Sequence, residues 1–184
     1  MKKVFFAALF SLTAAAFLAA GYLLKQKSSL PVYGHFPDFK LTEKSGKEIS
    51  ASDLKGKVWI VDFIFTRCAG QCPMMSGKMV ELQENLKGIH FISFTVDPEY
   101  DMPEKLSVYA KICSADPARW FFLTGKREML DLVTTGLHMN KLGDPMMHSA
   151  SFVLVDKNGD VRGYYDANDS ERLKQLKKDA LSLF

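Results

Sequence analysis

Apolar and polar positions divide this chain into blocks of different period. Val58-Trp59-Ile60-Val61-Asp62-Phe63-Ile64-Phe65 is apolar at every position but Asp62, which predicts a central strand buried on both faces. Ile89 to Val96 predicts a second buried strand, Trp120-Phe121-Phe122-Leu123 a third and Ser151-Phe152-Val153-Leu154-Val155 a fourth. Between them the period becomes helical. Met74 to Leu86 carries apolar residues at Met75, Met79, Leu82 and Leu86. Asp101 and Pro103 mark the start of a second helix running to about Cys113, because proline is tolerated in a first turn. Glu128 to Leu137 forms a third helix. Asn168, with Glu171 three positions on, is the expected N-cap of a final helix to Leu183.

Turn residues join the remaining segments. Lys44-Ser45-Gly46-Lys47 closes a hairpin between Phe39-Lys40-Leu41-Thr42 and Glu48-Ile49-Ser50. Asp156-Lys157-Asn158-Gly159-Asp160 folds the fourth long strand back onto Val161 to Tyr165 through Asn-Gly. The order is hairpin, β-α-β-α-β, helix, hairpin, helix, with no internal repeat. Strands alternating with helices predict an α/β domain with a mixed sheet and helices on both faces. A two-cysteine turn after the first long strand makes this the layout of a thioredoxin-like fold with an N-terminal hairpin extension.

The N-terminus obeys a different rule. Met1-Lys2-Lys3 is followed by Val4 to Leu24 without a charge, then Lys25. That run is long enough to cross a bilayer as one helix. The lysine pair orients it with a cytoplasmic start and an extracytoplasmic remainder, periplasmic or equivalent. Ala14-Ala15-Ala16 and Ala19-Ala20-Gly21 offer the small residues of a cleaved signal peptide. Apolar residues resume at Tyr22-Leu23-Leu24, which favours an uncleaved anchor. No cysteine lies in the run, which excludes a lipoprotein anchor. The expected division is a membrane anchor over 1–25, a polar linker over 26–36 and one folded domain over 37–184.

Charge sharpens this picture. The chain has 24 basic and 21 acidic residues; setting aside Lys2, Lys3 and Lys25 leaves a domain with 21 of each. A neutral domain has no electrostatic case for binding nucleic acid.

The candidate chemistry sits between strand and helix, in Phe65-Thr66-Arg67-Cys68-Ala69-Gly70-Gln71-Cys72-Pro73. Cys68 and Cys72 are four positions apart, one helical turn, so both sulfurs are expected to face the same way. At a helix N-terminus, backbone N–H groups stabilise thiolate, the form that attacks disulfides and binds metal. A disulfide over so short a step closes little loop and stabilises little, which argues against a purely structural pair. Dithiol exchange and chelation both stay open on spacing alone.

A metal needs further ligands, and His148, just before the fourth long strand, is the candidate. In thioredoxin-like topology that loop faces the cysteine turn. Two thiolates and an imidazole suit copper as Cu(I) or Cu(II), whereas structural zinc sites usually take a fourth protein ligand. Met146 and Met147 read as shielding rather than ligands. His35 falls in the linker, His90 opens a strand and His138 ends a helix. The odd cysteine, Cys113, reads as a small buried hydrophobe. Asp97-Pro98 ends the second strand at the edge where open α/β sheets keep their sites, which makes Asp97 a candidate for supporting the site or meeting a partner.

These residues resemble the Sco/SenC family. The resemblance lies in Phe63 to Pro73, in Phe94-Thr95-Val96-Asp97-Pro98-Glu99-Tyr100-Asp101-Met102-Pro103-Glu104, in Trp120-Phe121-Phe122-Leu123-Thr124-Gly125 and in His148-Ser149-Ala150, in family order, over roughly Pro37 to the C-terminus. It implies a membrane-anchored, thioredoxin-like assembly factor for CuA, the binuclear copper centre of cytochrome c oxidase. Copper ligands are then expected at Cys68, Cys72 and His148, with the family's acidic residue after the second strand at Asp97. The acidic residue usual before the histidine is Met147 here. The implied activity is a copper metallochaperone serving the CuA-bearing subunit. The alternative is a thiol–disulfide oxidoreductase, with Cys68 and Cys72 as a redox-active pair that keeps the oxidase cysteines reduced. A copper donor and a thiol reductant are further implied partners. A peroxidase reading ranks last, because Thr66 stands one residue too close to Cys68 for the peroxiredoxin arrangement.

Overall fold

The computed structural model describes residues 30–139 and 150–184. Within it are eight strands and four α-helices, in the order expected from the apolar pattern with one strand added at its start. The strands are β1 (Gly34–His35), β2 (Lys40–Glu43), β3 (Glu48–Ser50), β4 (Trp59–Ile64), β5 (His90–Thr95), β6 (Trp120–Thr124), β7 (Ser151–Val155) and β8 (Asp160–Asp166). The helices are α1 (Gln71–Asn85), α2 (Pro103–Ile112), α3 (Arg127–Gly136) and α4 (Ser170–Leu183).

All the described strands join one sheet in the order β1-β8-β7-β4-β5-β6-β2-β3. β4, β5 and β6 run parallel; the flanking pairs β4–β7, β7–β8, β1–β8, β2–β6 and β2–β3 are antiparallel. The mixed sheet follows from the connections. Helical crossovers return β5 and β6 parallel, whereas tight turns make β2–β3 and β7–β8 antiparallel. Gly46 and Gly159 supply the left-handed backbone, at φ 85° and 89°, on which the two hairpin turns close. In the second turn the Asp156 carboxylate accepts from the N–H groups of Asn158 (2.8 Å) and Asp160 (3.0 Å).

The six residues of β4 are all buried, as a strand covered on both faces requires. Alternation sends Trp59, Val61 and Phe63 into one core with Ile92, Phe94, Leu123, the α3 residues Leu130 and Val133, and Leu137 just after α3. The other face carries α1, α2 and α4. The Tyr109 ring of α2 meets Phe122 edge-on, Ser76 of α1 bonds the Tyr109 hydroxyl at 2.8 Å, and Tyr165 of β8 donates to Asp179 of α4 at 2.8 Å.

Two local expectations are corrected. Gly34 to Phe36, read as linker, belong to the fold: β1 pairs with β8, His35 Nδ1 lies 3.0 Å from Asp160 Oδ1, and Phe36 enters the α3-side core. A pairing across about 125 positions leaves no trace in a short polar stretch. The cap of α4 is Asp169, not Asn168. Its carboxylate accepts from the N–H groups of Glu171 (2.9 Å) and Arg172 (3.2 Å), while the Asn168 N–H is spent on Asp166. The membrane anchor expected over 1–25 lies outside the described residues, and none of the described helices is long and apolar enough to cross a membrane.

Candidate metal centre

The parallel strands β4, β5 and β6 end on one edge of the sheet, and the cysteine turn leaves β4 there. Phe65-Thr66-Arg67-Cys68 is a β-turn, closed by the Cys68 N–H on the Phe65 carbonyl at 3.1 Å. Helix α1 begins only at Gln71, with Gly70 as its cap. Cys68 precedes the helix, so the turn rather than helical spacing brings the two sulfurs within reach of each other, as expected of the pair. What joins them is a hydrogen bond: the Cys72 N–H donates to the Cys68 sulfur at 3.4 Å.

The two cysteines, both present as thiols, differ in environment. Cys68 is partly exposed. Its partial burial raises the pKa, but the N–H groups of Cys72, Gly70 and Gln71, with the Cys72 thiol, outweigh that and hold it below the ordinary thiol value. Cys72 is fully buried. Burial, opposed by the Phe65 backbone and reinforced by the neighbouring Cys68 sulfur, pushes its pKa up to about 12. The pair thus consists of an accessible sulfur primed as thiolate and a buried one held as thiol.

Asp97 sits where expected, at the exit of β5, and its partner is now visible. Its carboxylate accepts from Arg67 Nε at 3.0 Å, the residue directly before Cys68. The Arg67 guanidinium also lies 4.3 Å from the centre of the Tyr100 ring, whose other contact is Lys105. His148, Met146 and Met147 lie outside the described residues. Among the described residues no third histidine, cysteine or carboxylate completes a metal cluster with the two sulfurs. β7 does open at this edge: Val153 pairs with Val61 and Val155 with Trp59, so Ser151 lies toward the end of β4. Cys113 caps α2, buried, and burial raises its pKa, as a structural cysteine requires. His35 and His90 lie on β1 and β5, and His138 follows α3 at φ 51°.

Two acidic residues of the site went unrecognised in the sequence. Asp101, read as a helix-start marker, is fully buried and bonds Thr66 and Thr95. Asp62, the single polar residue in the β4 run, is also fully buried, and neither of its oxygens has a hydrogen-bond partner among the described residues. Desolvation pushes its pKa up to about 7, against a weaker pull from Ser93. Cys72, Tyr109 and Cys113 all sense its charge. The interruption of an otherwise apolar strand was the signal available for Asp62.

Comparison with known proteins points to one family. The family model described as SCO1/SenC matches residues 31–180. A protein of Bacillus subtilis named "SCO1 protein homolog" is 34% identical over 155 residues, 78% of this chain and 80% of that one. A protein of Stutzerimonas stutzeri named "Putative copper-binding protein" is 28% identical, covering 75% of this chain and 72% of its own. A solved structure, BsSco, described as a member of the Sco family of cytochrome c oxidase assembly proteins with a disulfide switch, superposes with a TM-score of 0.74 at 31% identity, over 83% of this chain and 95% of that one.

Proposed function

We propose, on the premise that this chain belongs to the SCO1/SenC family, that it is a copper metallochaperone for cytochrome c oxidase assembly. It binds one copper ion through Cys68, Cys72 and His148 and passes it to the CuA-bearing subunit. The observation that carries this reading is the asymmetric thiol pair, one sulfur open and thiolate-prone, the other buried four positions on.

The donor set fits the cargo. Two thiolates suit Cu(I), and thiolate with imidazole suits Cu(II). His148 stands three positions before β7, whose first residue lies at the edge that carries the cysteine turn; that supports its assignment as third ligand. Copper entering the site takes the place of the Cys72 proton, while Cys68 is already drawn toward thiolate. Because Cys68 is the accessible sulfur, it is the ligand an incoming acceptor thiolate displaces first.

A second reading rests on the same sulfurs. A low-pKa exposed thiol beside a buried one is also the arrangement for thiol–disulfide exchange, and the BsSco relative is described with a disulfide switch. Joining the two thiolates as a disulfide takes two electrons from them to an external disulfide and leaves the metal without its sulfur ligands. The roles then couple, with release of copper under redox control. Location follows the sequence: Val4 to Leu24 anchors the chain and the folded domain works on the extracytoplasmic side, between a copper donor, a thiol reductant and the oxidase subunit.

The test is copper bound per reduced full-length chain under anaerobic conditions, for wild type and His148→Ala. One tightly bound copper in the wild type and much weaker binding in the variant supports the three-ligand chaperone. Equal tight binding removes His148 from the ligand set. No tight copper, with the two thiols titrating as a reversible disulfide, leaves the oxidoreductase.

A further inference from the structure

The turn that delivers Cys68 is gripped from one side by the segment leaving β5. Thr66 and Arg67 are its central residues, and each is bonded to a different aspartate of that segment. The fully buried Asp101 carboxylate takes three donors: the Thr66 N–H at 3.0 Å, the Thr66 hydroxyl and the Thr95 hydroxyl at 2.6 Å. Two of the three come from the residue two positions before Cys68. Asp97 takes the Arg67 guanidinium, but more than half of that side chain is exposed, so water screens the pair. Asp101 is shielded from water and its bonds are charge-assisted, which makes it the stronger hold.

Asp101 does not itself drift with the turn. Its N–H bonds the Asp97 carbonyl at 2.8 Å, and Thr95, at the end of β5, fixes its other side while accepting the Asp97 N–H at 3.0 Å. Arg127, opening α3, donates to the Val96 carbonyl at 2.8 Å and pairs with Glu99. The bracket is thus tied to β5 and α3, and through Asp101 it sets where the β4 exit turns.

We infer that Asp101 is the positioning residue of the thiol pair: by fixing Thr66 it holds the turn in which the Cys68 sulfur meets the Cys72 N–H. Asp101 touches neither sulfur. The inference rests on the copper–thiolate reading for one consequence, copper affinity. The other, the dithiol–disulfide equilibrium, is independent of that reading.

The test uses reduced full-length protein with Asp101→Asn and Thr66→Val. The first neutralises the carboxylate and turns one acceptor into a donor; the second removes only the hydroxyl and keeps a β-branched shape. Val161→Ala, a core truncation at the opposite end of the sheet, serves as the destabilised control. Copper affinity is read by competition with a chelator, and the Cys68–Cys72 equilibrium by titration against a thiol–disulfide buffer. Asp101→Asn is expected to weaken copper about tenfold, the usual cost of disturbing the shell behind a ligand. It should also move the dithiol–disulfide equilibrium about tenfold, roughly 30 mV. Thr66→Val should move both in the same direction by less, and Val161→Ala neither. Unchanged values in Asp101→Asn and Thr66→Val overturn the inference, as does an equal shift in Val161→Ala. Should Asp101→Asn fail to fold, Thr66→Val decides alone. A wild type that binds no copper defeats the copper-delivery reading, and the dithiol–disulfide equilibrium then decides the role of Asp101.

Discussion

The backbone N–H of Cys72 donates to the sulfur of Cys68 across 3.4 Å, and this one bond divides the labour of the pair. It stabilises charge on the sulfur that solvent reaches, while the residue that supplies it keeps its own sulfur buried. The division has a direct chemical readout. With Cys72→Ala, Cys68 should be alkylated by iodoacetamide with an apparent pKa below that of a free thiol, because the donor is the backbone and survives the substitution. With Cys68→Ala, Cys72 should react at pH 7 at least about a hundredfold more slowly, since only the thiolate attacks and burial withholds it. Equal rates in the two variants would contradict the assignment.

The start of α4 separates two aspartate and asparagine positions that look alike in the sequence. Asp169 carries both side-chain bonds to the helix N-terminus, and Asn168 carries none. Asp169→Ala should cost about 1 kcal/mol in urea unfolding, the usual value of an N-cap. Asn168→Ala should leave the unfolding midpoint within error. A larger loss at Asn168 would mean that the cap lies one residue earlier than the structure has it.

What the sequence disclosed and what it withheld follows the range of the interactions. The β4 run, the period of α1 and the turns at Gly46 and Gly159 are local signals, and each element formed where its pattern stood. Cys68 and Cys72 stood out because two soft donors flank a strand-to-helix turn, and the structure joins them there by the Cys72 N–H bond to the Cys68 sulfur. The relationships that aim them are long-range. Arg67 meets Asp97 across 30 positions and Thr66 meets Asp101 across 35. Asp101 carries the same residue type that begins helices, so local grammar explained it without its partner. β1 vanished into the linker for a related reason: two residues hold no period, and only β8 makes them a strand.

Asp62 offers the sharpest test of pH behaviour, because its sign runs against the usual carboxylate. Its pKa is raised in the fold to about 7 from an ordinary 3.8, so the folded state holds a proton that the unfolded chain releases. Its contribution to stability is fully present below pH 4, falls as pH rises toward 7, and stays lost above that; the amount is on the order of a few kcal/mol. His90 opposes it over part of this window. Its imidazole pKa is lowered by burial, then by Lys57 and Arg119, so its share of stability is present above about 6.5 and lost as pH falls. Comparing wild type with Asp62→Asn at each pH cancels the histidine. The stability of wild type relative to the variant should therefore decline between pH 5 and pH 8, read as the difference in urea-unfolding free energies. A difference that stays flat over that range would mean that Asp62 finds, in the folded chain, a partner that keeps its charge satisfied.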